Sequence, residues 1–449
     1  MYFNFTEVLF FILWVMVVIL FLSWFVYLYF KREFITVLSS TVLMKIFIPL
    51  IVMYPFAFSE KNISSTGGSA YSLYLNEINK VFIISLAGTL FFVFGCYVAS
   101  VAKSEHKYLN QFSKAYATFL NKKDLTVYLL FLFCIFLLMY KLGFFQNLFG
   151  GRSFAMANTS FRPISNFFYS ACTIFLMLNL TKYYQKKSNL VLLYIILALG
   201  MSLTSGTRGA VLNSIMTFVF MYYNINSKDK HKASFLKLSV GGILLLIIAI
   251  YLGDARQQQY NLWIALSHAW DKVFYGNNFS DLRDFAWVTA YWDHQLQYGK
   301  TILSGYLSFI PSSLFSLRSE WGLGVFTVET IGYDTSVHPG LRPGIFGESY
   351  FNFGIIGVCI FGFIYGFIIN RISKYVQRAI DNSSKVESIY KSSLGYMVAY
   401  FSFNFMITAG FFVVYVFVLV ILVGFVKYIL RKKFNWKSNG IHNTKLQTK

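Results

Sequence analysis

The chain has 449 residues, 57% hydrophobic, 20% aromatic and only 13% charged, a balance that excludes a soluble domain of this length. Its formal net charge of +21 would suit nucleic-acid binding if the cations lay together. They are instead divided among short loops between apolar runs, which makes them a signal of membrane sidedness and excludes a nucleic-acid partner.

A membrane span needs about 20 apolar residues to cross ~30 Å of hydrocarbon. Runs of that kind predict an all-α polytopic membrane protein with about eleven helices, near residues 8–30, 35–58, 81–102, 125–142, 163–181, 190–206, 208–225, 238–252, 345–369, 393–409 and 411–430. Residues 1–30 lack a basic start and a small-residue cleavage site, so the first run is read as a retained span. The basic segments Lys31–Arg32, Lys103–Lys123, Lys182–Lys187, Lys228–Lys237, Arg371–Lys391 and the tail from Lys427 fall in every second loop, and so on one side of the membrane. Positive loops mark the cytoplasmic face, so the N-terminus is placed outside and the tail inside. Nearly forty apolar residues after 393 cannot make one ordinary span, and the break is placed at Gly410. The organisation that follows is helices 1–8 over residues 1–252, a large extracytoplasmic loop over 253–344, helices 9–11 over 345–430 and a cytoplasmic tail over 431–449. Cys96, Cys134, Cys172 and Cys359 all fall in apolar runs without a CxxC pair and read as small hydrophobes, with no metal site or cofactor implied.

Some ninety residues of outer loop imply a folded unit with a task. Apolar spacing predicts surface helices over 255–272 and 284–299, then an interfacial or re-entrant segment over 302–315, interrupted by Pro311. Trp263, Trp270, Trp287, Trp292 and Trp321 lie in this loop, where indole rings suit either sugar faces or a membrane-interface belt.

Arginine is unevenly placed. Seven of the eleven arginines, Arg152, Arg162, Arg208, Arg256, Arg283, Arg318 and Arg342, fall outside by this topology, although lysine dominates the inner loops. A guanidinium keeps its charge and grips phosphate with a planar fork, which points to a phosphorylated ligand outside; pairing with the loop's own acids is the alternative. Arg208 sits in SLTSGTRGAVLNS, where two apolar runs meet and a helix starts, with the hydroxyls of Ser205 and Thr207 beside it. Donors at a helix N-terminus favour an anion there, with simple headgroup anchoring as the other reading.

The segment HPGLRPGIFGESYFNFG, residues 338–354, brings His338, Arg342 and Glu348 together among glycines and prolines and runs on into an apolar helix. A carboxylate at the mouth of a span costs several kcal/mol if wholly dehydrated, so Glu348 is expected to face water, a partner or a substrate. Helix capping is the plainer reading. Asn352 lies one turn further on and is placed to orient Glu348.

The motifs SGTRGA, GNNFSDLRDFAW (276–287), GYLSFIPSSL (305–314) and GESYFNFGIIG (347–357), in this order and on this side, resemble the bacterial oligosaccharide repeat-unit polymerases of O-antigen and capsule, the Wzy family of multi-span GT-C-type glycosyltransferases. The resemblance spans roughly residues 200–370 and implies location in the bacterial inner membrane. It also implies a donor glycan on undecaprenyl diphosphate, an acceptor repeat unit on a second such lipid, and a chain-length regulator and flippase as partners. The reaction needs fixed positive charge on the departing diphosphate and a base for the attacking hydroxyl. Arg208, Arg318 and Arg342 are assigned to the diphosphate, with Arg283 a weaker fourth because Asp281 and Asp284 flank it. His338 and Glu348 are the candidate bases; Asn352 supports Glu348, and Ser205 and Thr207 support Arg208. An O-antigen ligase shares donor and chemistry and stays open. So does a lipid-linked oligosaccharide flippase, although only Lys45 and Lys141 are basic within spans.

Overall fold

The computed structural model describes residues 5–59, 69–102, 107–145, 154, 161–204, 208–226, 236–237, 240–243, 247, 262–276, 279–310, 314–335 and 340–446; of these, the side chains of 5–6, 69–71, 208–210, 262, 264–265, 319 and 431–446 are not described. Every regular element among the described residues is helical. Among the described residues six helices are long and apolar enough to cross a membrane: Glu7–Phe30, Ser72–Val101, Lys122–Lys141, Arg162–Gln185, Gly344–Asn382 and Phe412–Leu430. Val37–Val52 and Asn189–Leu203 are shorter apolar helices, and the helices Arg208–Asn226 and Lys385–Ser402 also stand where spans are expected. The expected span at 238–252 lies largely outside the described residues. The first helix turns Leu9, Phe11, Ile12 and Leu20 outward, the pattern of a helix solvated by lipid.

Local chemistry sets the helix ends. Thr36 and Ser39 form a reciprocal capping box that starts the second helical run, and Ser384 caps Lys385–Ser402 by accepting from Glu387 N. That helix passes through a 3₁₀ turn at Phe403–Phe405, and the chain turns at Gly410, φ +94°, before Phe412 starts the last helix. The break expected at Gly410 is therefore present. The second run widens into π-helical turns over Leu43–Val52, which contain Lys45 and Pro49.

Two apolar cores result. One joins the second helical run, Ser69–Val101, Asp281–Tyr291 and Gly344–Asn382 around Phe82, Phe285, Phe346 and Phe351. The other joins Lys122–Lys141, Arg162–Gln185, Asn189–Leu203 and the last helix around Phe168, Phe175 and Phe417. The helix Lys385–Ser402 lies between them, giving Tyr396 and Ala399 to the first core and Leu394, Met397 and Phe401 to the second. In the first core glycines bring two long helices together: a Cβ on Gly366 would stand 1.9 Å from the Phe92 carbonyl oxygen, and one on Gly95 would stand 2.1 Å from that of Phe363. Small residues allow such backbone approach, which gives membrane helices the packing that hydrophobicity cannot supply in lipid.

Two expectations for the outer segments need correction. The predicted helix over 284–299 ends at Tyr291, and the helix Asp281–Tyr291 is a core element whose Phe285, Ala286 and Val288 have no exposed surface. Its apolar spacing is real, but it faces protein on more than one side. Likewise, the helix entered at Gly344 is not continuous: Gly354 adopts φ 62°, ψ −154°, which splits Gly344–Asn382 into a short first piece and a long second one. The carbonyls this break releases are used. Gln297 N donates to Phe351 O at 2.9 Å and Tyr298 N donates to Asn352 O at 3.1 Å, so residues 297 and 298 cap the first piece.

Candidate functional site

Glu348 sits in that first piece with no exposed surface. Thr301 Oγ1 donates to its Oε1 at 2.8 Å, Thr408 Oγ1 to the same oxygen at 2.6 Å, and Thr408 N to Oε2 at 2.6 Å. Among the described residues no lysine or arginine lies within ion-pair distance of it. A buried carboxylate is tolerated when donors replace its water. Here those donors come from two pieces of chain distant from Glu348 in sequence: the helix Lys300–Tyr306 and the turn before the last helix. The expectation that Glu348 faces water, a partner or a substrate is therefore not met: it has no exposed surface, and backbone and threonine donors of the chain itself replace its water. Asn352 donates to Thr301 Oγ1 at 2.7 Å and accepts from Gly299 N at 2.9 Å, so it orients Thr301 and acts on the carboxylate only through it.

A second polar centre surrounds the start of the helix Asp281–Tyr291. Asp284 is 4% exposed and uses both oxygens twice: Oδ1 accepts from Arg283 Nε at 2.9 Å and Nη2 at 2.8 Å, while Oδ2 accepts from Ser280 Oγ at 2.8 Å and Arg342 N at 3.2 Å. Arg283 also donates from Nη1 to Tyr275 O at 3.1 Å, which turns its fork toward the protein. The Arg342 side chain, by contrast, is exposed. Asp281, half-buried, lies within electrostatic reach of both Arg342 and Lys45. Gly344 returns the chain past it at φ +70°, where a Cβ would stand 3.3 Å from Asp281 Cβ. Burial raises the Asp281 carboxyl to about 6, against the pull of Lys45 and Arg342 in the other direction.

That shift has a stability consequence. An acid whose folded pKa is raised binds its proton more tightly in the folded state, so stability is lost as pH rises from about 4 to about 6 and stays lost above. Asp281→Asn is expected to stabilise the chain at pH 7 by up to about 3 kcal/mol, and the gain should fade as pH drops to about 4. Thermal unfolding in detergent at several pH values checks this; an equal effect at pH 4 and pH 7 would contradict it.

Arg318 occupies a different neighbourhood. It donates from Nη1 to Ser308 O at 2.9 Å, while its own carbonyl accepts from Ser304 Oγ at 2.7 Å. Its Nε is buried without a partner, and the neighbouring charge is Arg162, a like one. The helix that Arg208 begins runs from Arg208 to Asn226, as expected of the tight turn; its side chain, together with Ser205, Thr207 and His338, lies outside the described residues. Of the loop tryptophans, Trp287 and Trp292 are buried, whereas Trp263 and Trp270 are exposed. Trp292 packs on Phe351 with ring centroids 5.1 Å apart.

A family model described as O-antigen polysaccharide polymerase Wzy matches residues 1–433. The chain belongs to this Wzy family. No curated protein and no solved structure matches it. Membership makes the chain an integral membrane protein of polysaccharide biosynthesis, in a family that acts on lipid-linked oligosaccharide repeat units. For a Wzy chain the polar centres just described are the natural place to look for chemistry, and several of their residues escaped sequence reasoning as site members, Thr301, Thr408 and Lys45 among them. Thr301 and Thr408 carry no local signal, because each meets Glu348 across 47 or 60 residues of chain. Lys45 did carry one: it is a cation within an apolar run.

Proposed function

We propose that this chain polymerises undecaprenyl-diphosphate-linked oligosaccharide repeat units by block glycosyl transfer at the outer face of the bacterial cytoplasmic membrane, building an O-antigen, capsule or related surface polysaccharide. The family match over nearly the whole chain carries the reading. It is supported by the origin of the polar centres, whose residues come chiefly from segments that the distribution of cations assigns to the outside.

In this reading a hydroxyl of the acceptor unit attacks the anomeric carbon of the donor glycan. The bond from that carbon to the diphosphate oxygen breaks, and undecaprenyl diphosphate leaves. Arg208, Arg318 and Arg342 receive the charge that develops on the leaving group, and His338 takes the hydroxyl proton. Glu348, with three donors already on it, holds the outer segments together around the reacting groups. Arg283 acts through Asp284, which also accepts from the backbone that presents Arg342.

The test is reconstitution of the purified chain with lipid-linked repeat units. A ladder of lipid-linked oligomers is expected, with one undecaprenyl diphosphate released per bond formed. A single transfer to a lipid A core acceptor without a ladder would make the chain a ligase. Movement of the lipid across vesicles with no new glycosidic bond would make it a transporter. Either result overturns the proposal.

A further inference from the structure

Lys45 is the one charged group of the second helical run, Val37–Val52, and none of the roles above uses it. It lies in the π-helical turns, a geometry that recurs at functional sites because it widens the helix and re-aims its side chains. The ammonium stands 3.8 Å above the centre of the Phe403 ring and is half-buried. Among the described residues no carboxylate lies within ion-pair distance of it. The run packs against the turn that carries Arg342 and against Asp281: a Cβ on Gly344 would stand 3.3 Å from Asp281 Cβ and 3.4 Å from Leu50 Cδ2. The electrostatic neighbours of Lys45 are accordingly Asp281, of opposite sign, and Arg342, of like sign.

An ammonium held inside an apolar run without a contact ion is costly, so a chain that keeps one there has a use for it. The surrounding charge indicates what that use is. Arg283 and Asp284 cancel as a pair at 2.8 Å. What remains among the described residues is two cations, Lys45 and Arg342, and one acid, Asp281, which forms an ion pair with neither. Among these groups there is one positive charge in excess. Arg342 offers a planar fork and Lys45 a point charge, the two modes by which phosphate is gripped.

We propose that Lys45 and Arg342 form a seat for a phosphate group of a lipid-linked diphosphate, and that Asp281 is the built-in counter-anion which screens the two cations in the empty seat and opposes the entering phosphate. The proposal deepens the polymerase reading and rests on it. It adds Lys45 to the binding residues and gives Asp281 an antagonistic role: the seat binds less tightly with the acid than without it. Such opposition suits an enzyme that must release a lipid diphosphate after every bond.

The experiment is direct binding of farnesyl diphosphate, a short prenyl diphosphate, to the purified full chain in detergent at pH 8. Lys45→Met is expected to weaken binding at least tenfold. Asp281→Asn should tighten it severalfold, a gain that misfolding cannot produce. Lys427→Met removes a cation paired with Asp124 at 3.0 Å, far along the chain, and should change binding less than twofold. The seat is refuted if Lys45→Met binds like the wild type, or if Asp281→Asn weakens binding. If wild-type chain retains no farnesyl diphosphate, the parent reading falls too, which separates the two failures. Phosphatidylglycerol and inorganic phosphate serve as competitors. Displacement of the probe by phosphatidylglycerol at equal concentration would make the seat a general headgroup site, displacement by inorganic phosphate at equal concentration would make it a free-phosphate site, and either would overturn the assignment to a lipid diphosphate.

Discussion

Glu348→Gln is expected to lower polymerisation at least a hundredfold and to destabilise the chain by about 1.5–3 kcal/mol, the range for a hydrogen bond to a charged group. The reason lies in the donors around it. Thr301 and Thr408 hydroxyls both reach Oε1, and the Thr408 N–H reaches Oε2. A glutamine that keeps its carbonyl at Oε1 sets its NH₂ against the Thr408 N–H, donor to donor, in a place with no water to relieve it. Thr408→Val, which removes one hydroxyl at nearly constant volume, should move rate and stability in the same direction by smaller amounts. His338→Ala should behave otherwise: a fall of roughly 10²–10⁴ in rate, as for loss of a general base, at unchanged thermal stability. A Glu348→Gln chain that melts like the wild type but turns over slowly, beside a His338→Ala chain of full activity, would move the base to Glu348.

The contrast between these two residues also shows where sequence reasoning reaches its limit. That Glu348 enters a helix at the mouth of a span could be read locally, from Pro343 and Gly344 before it and the apolar run after it. Its burial could not, because that depends on Thr301 and Thr408, brought in from distant segments. The membrane class was legible for the same reason as the break at Gly410: hydropathy and span length are properties of consecutive residues. The error over 284–299 has the opposite origin. Trp287, Trp292 and their neighbours carry helical spacing whether the helix lies on a surface or in a core, and only packing against Ser69–Val101 and Gly344–Asn382 decides between them. Gly354 gave no warning, since glycines 347, 354 and 357 look alike in the sequence and only one adopts a left-handed φ. Lys45 was visible as an intramembrane cation. What could not be seen was Asp281, more than two hundred residues away, as the acid it answers to.

Asp284→Ala is expected to be the most destabilising single change in the outer segments, by about 3–5 kcal/mol, because it strands a guanidinium in a closed environment. Arg283 and Asp284 have side chains 13% and 6% exposed, and the arginine's fork is built on this one carboxylate oxygen. Removal of Asp284 takes from Arg283 its carboxylate partner, frees the Ser280 hydroxyl and releases the backbone N–H of Arg342. The last of these ties stability to function, since Arg342 is assigned to the diphosphate and its position follows from where its backbone is anchored. Asp284→Ala should therefore weaken substrate binding beyond what its folded fraction explains. The companion experiment is Arg283→Met, alone and combined with Asp284→Ala. If the cost is that of an orphaned charge, the double variant should recover most of the lost stability, because neither ion is then left buried alone. It should not recover the binding, because nothing in the double variant restores the acceptor for Arg342 N. Thermal unfolding and farnesyl diphosphate binding on the same four proteins separate the two effects. Additive losses in the unfolding series would show that the pair is not coupled, and full binding in the double variant would show that Arg342 does not depend on this anchor.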